Sequence, residues 1–479
     1  MKKSIIVIAL LVATLAKAQT GAAVSGPIAA LSKPTAFSPV SRNGSSTVWE
    51  RTLYLPGTNG TVVARKSHYT ELASGLNFRD SNSGQWVPSK EQIDILPQGG
   101  AQAVQGPLRA NFPGDIYKGQ IELVTPDNKH LKSRPLAISF DDGQNTVLLA
   151  VLTNSVGMLV GSNRVAYFNA FSGIKADIIY EYRKGAFSQS VVLRERPPTP
   201  ESLGLKPQAH LQLLTEFTGS PDPAQKAAAR EARNNLQDST LSFGAGGMTM
   251  IQGKAFSING GGDRRNTETP TYKSWMHLQN RTFLIEEVPY QRLATQLQQL
   301  PMTVRLDTAD TNLLAANSIL GKVSPQRLLP SAREAEVDTG KILLASADLS
   351  RQPGVVLDYE AVISSTADFV FASNETYYVS GEVYLSGLTT IQGGAVIKYD
   401  TNYICGVNIL GTVQCATSPD HPAILTSADD NTVGEPITTG GTSNGTGSLT
   451  LWITGDSGVN LADLSVWIWD GNGNYIVNG

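Results

Sequence analysis

Near its C-terminus the chain repeats itself. Val379-x-Gly381-x-Val383-x-Leu385 returns thirty residues on as Ile409-x-Gly411-x-Val413-x-Cys415, and Ala395-Val396-Ile397 returns twenty-eight residues on as Ala423-Ile424-Leu425. Recurrence at such a period marks stacked supersecondary units, none of which can bury its apolar face alone. Apolar residues at alternate positions make each unit a few short strands separated by tight turns. The pattern predicts a right-handed parallel β-helix over 366–479, with alternate residues pointing inward and equivalent positions stacked between coils. On this alignment Val383 lies near Val413, and Leu385 near Cys415. Gly381 and Gly411 fall at bends where a Cβ would crowd the turn.

Three stretches carry a resemblance. Residues 376–381 (Thr-Tyr-Tyr-Val-Ser-Gly), 393–399 (Gly-Gly-Ala-Val-Ile-Lys-Tyr) and 421–427 (His-Pro-Ala-Ile-Leu-Thr-Ser) are similar to the coils of secreted bacterial β-helix proteins. The resemblance covers about the last quarter of the chain. It implies an architecture rather than a chemistry, because adhesins, structural stalks and polysaccharide-degrading enzymes share it. Residues 167–194 more distantly resemble, through Tyr167, Phe171, Gly173, Asp177, Tyr180 and Leu193, a β-rich module of bacterial surface and Rhs-type proteins.

Upstream of the repeat the grammar is also β. Residues 62–69, 121–124, 147–152, 176–182 and 188–193 are short, β-branched or aromatic, and separated by Gly, Pro and Asn. Such runs predict strands of a sandwich or stacked sheets, with 177–182 and 191–193 forming a hairpin about Gly185. Two helices are expected. Asp222 caps and Pro223 opens one through Gln237, and a second spans 290–300, with Leu293, Leu297 and Leu300 on one face. The segments are then a signal peptide (1–18), a mobile leader (19–46), a β-sandwich-like domain with one or two helices (47–301), a connector holding a strand or two near 342–344 and 355–359 (302–365), and the β-helix coils (366–479), which look incomplete. The fold class is mainly β.

The signal reading rests on Lys2 and Lys3, an apolar run over 5–15, and small residues at Ala16 and Ala18. The run is about half the ~20 residues that span a bilayer, so export without a membrane anchor is expected, to the periplasm, the cell surface or the medium. The Asn-x-Ser/Thr triplets at Asn43, Asn59, Asn280, Asn374 and Asn444 read as surface loops. A net charge of −3, from 38 basic and 41 acidic residues, leaves no global positive field to hold a polyanion, and excludes a basic nucleic-acid binder.

Candidate chemistry is sparse. Gly455-Asp456-Ser457-Gly458 spells the start of a serine-protease motif, yet Val459 replaces the next Gly, and none of His68, His130, His210, His277 and His421 has a catalytic context. Asp470-Gly-Asn-Gly-Asn474 opens like a calcium loop but places Tyr475 where that loop needs Gly. Turns account for both, and for Asp141-Asp142-Gly143 and Asp429-Asp430-Asn431. Calcium is the single cofactor such loops would take. The coils carry Glu382, Lys398, Asp400, Asp420, His421, Asp429 and Asp430 as outward groups, but Glu382 aligns with Thr412 and Lys398 with Thr426, so no acidic or basic ladder forms. Glu286 and Glu287, adjacent on a strand, face opposite ways, one solvated and one salt-bridged. Cys405 and Cys415 admit a disulfide in an exported chain, or a packed thiol at Cys415. Trp49, Trp86 and Trp275 form either a sugar-stacking platform or buried core. Trp467 and Trp469 share one face of a strand.

These residues name no catalytic, cofactor or metal site. They lead to an exported surface or extracellular protein, structural, adhesive or glycan-contacting, with an extracellular polysaccharide or cell-surface component as partner. The alternatives are a polysaccharide-active lyase or glycoside hydrolase whose catalytic coils lie partly beyond the C-terminus, and a scaffold region of a larger surface protein.

Overall fold

Alternating and β-branched runs become strands throughout a computed structural model of the chain. The structure describes residues 34–57, 62–231, 236–244, 247–258, 268–302, 340–345, 353–365, 367–401, 405–438, 451–453, 466–469 and 475–478. These are mainly β, with one α-helix among the described residues. They fall into two compact units: Pro88–Ile363, and Met1–Val87 together with Ser364–Gly479. This division differs from the expected segments, because residues 47–87 group with the C-terminal region. The expected signal peptide lies outside the described residues.

The Pro88–Ile363 unit stacks two large sheets on one core. One sheet runs from Tyr272–Leu278 through Arg281–Pro289, His210–Thr218, His130–Asp141 and Ile121–Val124 to the short strands before it. The other runs from Ala224–Glu231 through Leu236–Phe243, Met248–Ile258, Gly354–Ile363, Ala186–Leu193 and Ala176–Tyr182 to Arg164–Tyr167 and beyond. Phe140, Leu211 and Ile285 of the first sheet share an apolar cluster with Tyr180, Val191 and Leu357 of the second. That is the expected sandwich-like arrangement. The hairpin about Gly185 forms, with Ala176 opposite Leu193 and Tyr182 opposite Phe187. Helix Tyr290–Gln298 also forms, burying Tyr290, Leu293 and Leu297.

The helix expected from Asp222 does not form. Ala224–Glu231 and Leu236–Phe243 pair as antiparallel strands instead. Leu236 and Asp238 are buried at one parity and Leu241 and Phe243 at the other, and pairing with burial on both faces of this strand overrides the helix preference of the alanines. The second connector strand is no connector either. Gly354–Ile363 lies between Met248–Ile258 and Ala186–Leu193, hydrogen-bonded to both.

In the other unit the chain passes in turn through three parallel ladders. Phe369–Phe371 pairs with Thr389–Gln392, which pairs with Val413–Ala416. Thr376–Val379, Val396–Tyr399, Ala423–Ser427 and Val466–Trp469 make the second ladder. Glu382–Leu385, Gly406–Ile409 and Leu451–Ile453 make the third. Phe371, Val379, Leu385, Ile397, Tyr399, Val407 and Leu425 line one common interior.

The stacking of Val396 on Ile424 and Ile397 on Leu425 is as expected. The other half of the alignment is corrected. Val383 pairs with Val407 and Leu385 with Ile409, whereas Val413 pairs with Thr389 and Cys415 with Ile391. The repeated Gly-x-Val pattern marks a corner between ladders, and different corners share it. At Gly411 a Cβ would come within 2.2 Å of the Gly387 carbonyl oxygen, so this corner admits only glycine.

The expected leader is corrected over its last part. Ser38–Arg42 pairs with Ser46–Pro56, which pairs with Val62–Leu72. Val62–Leu72 then joins the second ladder in parallel, with Leu72 beside Val379 and buried in the same interior. Segments about three hundred residues apart thus share one sheet.

Candidate functional site

That shared sheet has an outer face, and period two decides what it carries. Opposed pairs Thr47 with Glu71, Trp49 with Tyr69, and Arg51 with Ser67 lie on one side of the first hairpin, since Leu72 takes the other side. The parallel register sets Tyr378 beside Glu71, Lys398 beside Tyr378, and Thr426 beside Lys398. These point outward because Tyr377, Val379, Ile397 and Tyr399 fill the interior.

Aromatic rings meet on this face. Trp49 stacks on Tyr69 at 6.4 Å between centroids, with 17° between the planes. Phe37 and Tyr378 each stand edge-on to Tyr69, at 4.8 and 6.2 Å. The Arg51 guanidinium lies 4.4 Å from the Phe37 ring centre, and that of Arg42 5.7 Å from Trp49. Trp49 Nε1 donates to Glu71 at 2.7 Å, Ser380 Oγ donates to the other Glu71 oxygen at 2.8 Å, and the Tyr378 hydroxyl donates to Asp400. Burial, then the Glu71 charge, pushes the Tyr69 phenol up to about 12. Burial and the bond to Asp400 raise Tyr378 further. Both remain proton donors at any physiological pH.

Beside the rings a strap, residues 428–438, crosses the same face. Lys398, buried, donates from Nζ to the carbonyl oxygens of Asp430 at 2.6 Å and Glu435 at 2.7 Å. Burial lowers this lysine to about 8, against the pull of Asp430 and Glu435. Asp430, also buried, accepts from the Thr426 hydroxyl at 2.7 Å and the Thr432 amide at 2.9 Å. The Glu435 amide donates to Thr376 Oγ1 at 2.9 Å. Its carboxylate accepts from Ser67 and lies 3.6 Å from Arg51. Gly434 permits this approach: its φ is +60°, and a Cβ there would meet Thr376 Oγ1 at 2.6 Å.

Of the outward groups named from sequence, Lys398 and Asp430 come together in the strap, and Asp400 joins Tyr378. Asp420 and His421 are exposed, His421 lying against Gly393 and Gly394. Asp141-Asp142-Gly143 is a turn: Asp142 accepts from the Gln144 and Asn145 amides, and Gly143 has φ +82°. The motifs at 455–458 and 470–474 lie outside the described residues, as do the side chains of Trp467 and Trp469. Cys405 and Cys415 do not form a disulfide. Cys405 is buried, and burial raises its thiol to about 11.

The three tryptophans do not make one platform. Trp275 is buried against Phe217 and Phe243 and donates to Asp222 at 2.8 Å. Trp86 lies under Arg79 at 4.9 Å. Trp49 alone joins other rings on the shared face. Its neighbours Phe37, Tyr69 and Tyr378 escaped sequence reasoning because nothing local links 37–71 to 378. The alternation of Thr47, Trp49 and Arg51 with Ser67, Tyr69 and Glu71 was the available signal.

Glu286 and Glu287 do face opposite ways. Glu287 accepts from Gln212 at 2.8 Å and lies 3.5 Å from His210. Among the described residues, Glu286 is neither solvated nor salt-bridged. It is 1% exposed, and both carboxyl oxygens lack a hydrogen-bond partner among the described residues. Burial, then the Asp358 charge, raises it to about 8 despite Lys273. Lys273 Nζ pairs with buried Asp238 at 3.0 Å. Among the described residues no group of three or more His, Cys, Asp or Glu is placed to hold a metal ion, and no helix is long and apolar enough to cross a membrane. Compared with known proteins, the chain matches no family model, no curated protein and no solved structure.

Proposed function

We propose that this is an exported surface or extracellular protein that contacts a polysaccharide through the outer face of its shared sheet, in an adhesive or structural role. One observation carries the reading. Trp49, Tyr69, Phe37 and Tyr378 cluster on a sheet face rimmed by Arg42, Arg51, Glu71 and Asp400. Aromatic rings with polar groups at their edges suit pyranose rings, which offer one apolar face and a belt of hydroxyls. Neighbouring strands lie about 4.8 Å apart, so the strands from Ser38–Arg42 to Ala423–Ser427 span roughly 24 Å, room for several sugar units.

The three parallel ladders and their common interior support the resemblance to secreted bacterial β-helix proteins, in which a coil holds such a face rigidly. The paired lysines and apolar run at the N-terminus support export. Lys398 and Asp430, two of the groups on the coils considered for acid–base work, are engaged in holding the strap, which favours contact over catalysis.

Affinity electrophoresis of the full chain through gels holding soluble polysaccharides tests the reading. Retardation by at least one polymer, lost in Trp49→Ala and kept in Trp86→Ala, is the expected result. Equal mobility in every gel, or equal retardation of Trp49→Ala and wild type, would refute it.

A further inference from the structure

We propose that Arg51 and Ser67 form a carboxylate-binding seat that Glu435 fills in cis, and that a uronate-bearing polysaccharide takes the seat when Glu435 leaves. The inference rests on the polysaccharide reading above and names the ligand class. Arg51 and Ser67 are opposed in register on the outer face, so hydroxyl and guanidinium converge on one point. The Glu435 carboxylate sits there, hydrogen-bonded to Ser67 and 3.6 Å from Arg51 Nη2.

The seat is built for an anion but is incompletely used. The Arg51 side chain is 14% exposed and lies against the Phe37 ring. Its Nε is buried without a hydrogen-bond partner among the described residues. A guanidinium can offer five N–H bonds and binds carboxylates best in a two-pronged geometry. Contact at 3.6 Å supplies less than that.

The strap is held more firmly behind Glu435 than at its carboxylate. Asp430 and the backbone of Glu435 are tied to Lys398, Thr426, Thr432 and Thr376, whereas the Glu435 side chain retains 30% exposure. The side chain can therefore swing out while the strap stays. Trp49 is two residues from Arg51 on the same face, about 7 Å along the strand. A sugar ring on the aromatic cluster would thus bring its carboxylate to the seat.

The test measures binding of the full chain to polygalacturonate and to its fully methyl-esterified form, which keeps the backbone and loses the charge. Glu435→Gln is expected to bind polygalacturonate roughly tenfold more tightly than wild type, with no gain for the ester. Adding Arg51→Gln should remove that gain. Matching thermal melts of the variants would show that folding is intact. If Glu435→Gln gains nothing, or Glu435→Gln/Arg51→Gln keeps the gain, the seat is refuted. Binding of the ester by wild type but not Trp49→Ala would leave the platform standing in that case. Failure of wild type and Glu435→Gln to bind either polymer would overturn the seat, and failure across the wider gel panel would overturn the platform as well.

Discussion

Lys398 and Asp430 are tied twice over: Lys398 Nζ donates to the Asp430 carbonyl oxygen at 2.6 Å, and the Asp430 carboxylate accepts from Thr426, the residue beside Lys398 in the next strand. A buried lysine thus serves as a backbone anchor, turning the segment after Ala423–Ser427 across the sheet. Replacing Lys398 by Met preserves the bulk but strips the Asp430 and Glu435 carbonyl oxygens of this donor. The expected cost is about 2–4 kcal/mol, read as a lower denaturation midpoint. Amide exchange over 428–438 should accelerate first. Unchanged exchange there would show that the strap is held by something else.

Glu286 predicts a pH dependence for the Pro88–Ile363 unit. Its carboxyl is raised from an ordinary 4.5 to about 8, mainly by burial. Between those values the folded state binds the extra proton, so stability is fully present below 4.5, declines with rising pH, and is lost through 8. Asp358, raised to about 7 by burial, adds a loss in the same direction. Denaturation should therefore be easier at pH 8 than at pH 5. Glu286→Gln should flatten that slope and stabilise the protein at pH 8 by on the order of a few kcal/mol. A Gln variant as pH-sensitive as wild type would remove Glu286 from the account.

The ladder register is open to a cross-linking test. In a chain lacking Cys405 and Cys415, cysteines at positions 383 and 407 should oxidise readily. Parallel neighbours lie about 4.8 Å apart, within disulfide reach. Cysteines at 383 and 413 belong to different ladders and should stay reduced. The opposite outcome would restore the thirty-residue alignment.

How legible all this is in the sequence depends on the range of the interaction. Helix Tyr290–Gln298 and the hairpin about Gly185 are local, and spacing with turn residues suffices to read them. The stacking of Ile397 on Leu425 is readable because both occupy the same rung position. Val383 and Val413 misled because Gly-x-Val records a bend, whichever ladder follows. Ala224–Glu231 misled because alanine's helix preference is weaker than pairing to a strand whose Leu236, Leu241 and Phe243 are buried. The aromatic face was hidden for a further reason. Trp49 and Tyr69 pair within one hairpin, but Tyr378 reaches them only because Val62–Leu72 docks on Thr376–Val379, and no local pattern encodes that docking.

The proposed polysaccharide contact requires Trp49 and Tyr378, more than three hundred residues apart in the chain, to act on one ligand. A double-mutant cycle on polysaccharide affinity tests it most directly. Each of Trp49→Ala and Tyr378→Ala should weaken binding by roughly threefold to tenfold. The double variant should lose less than the product of the two, because rings gathered around Tyr69 share their contacts. Wild-type affinity in Tyr378→Ala, with Trp49→Ala impaired, would contradict a ligand face built from both segments.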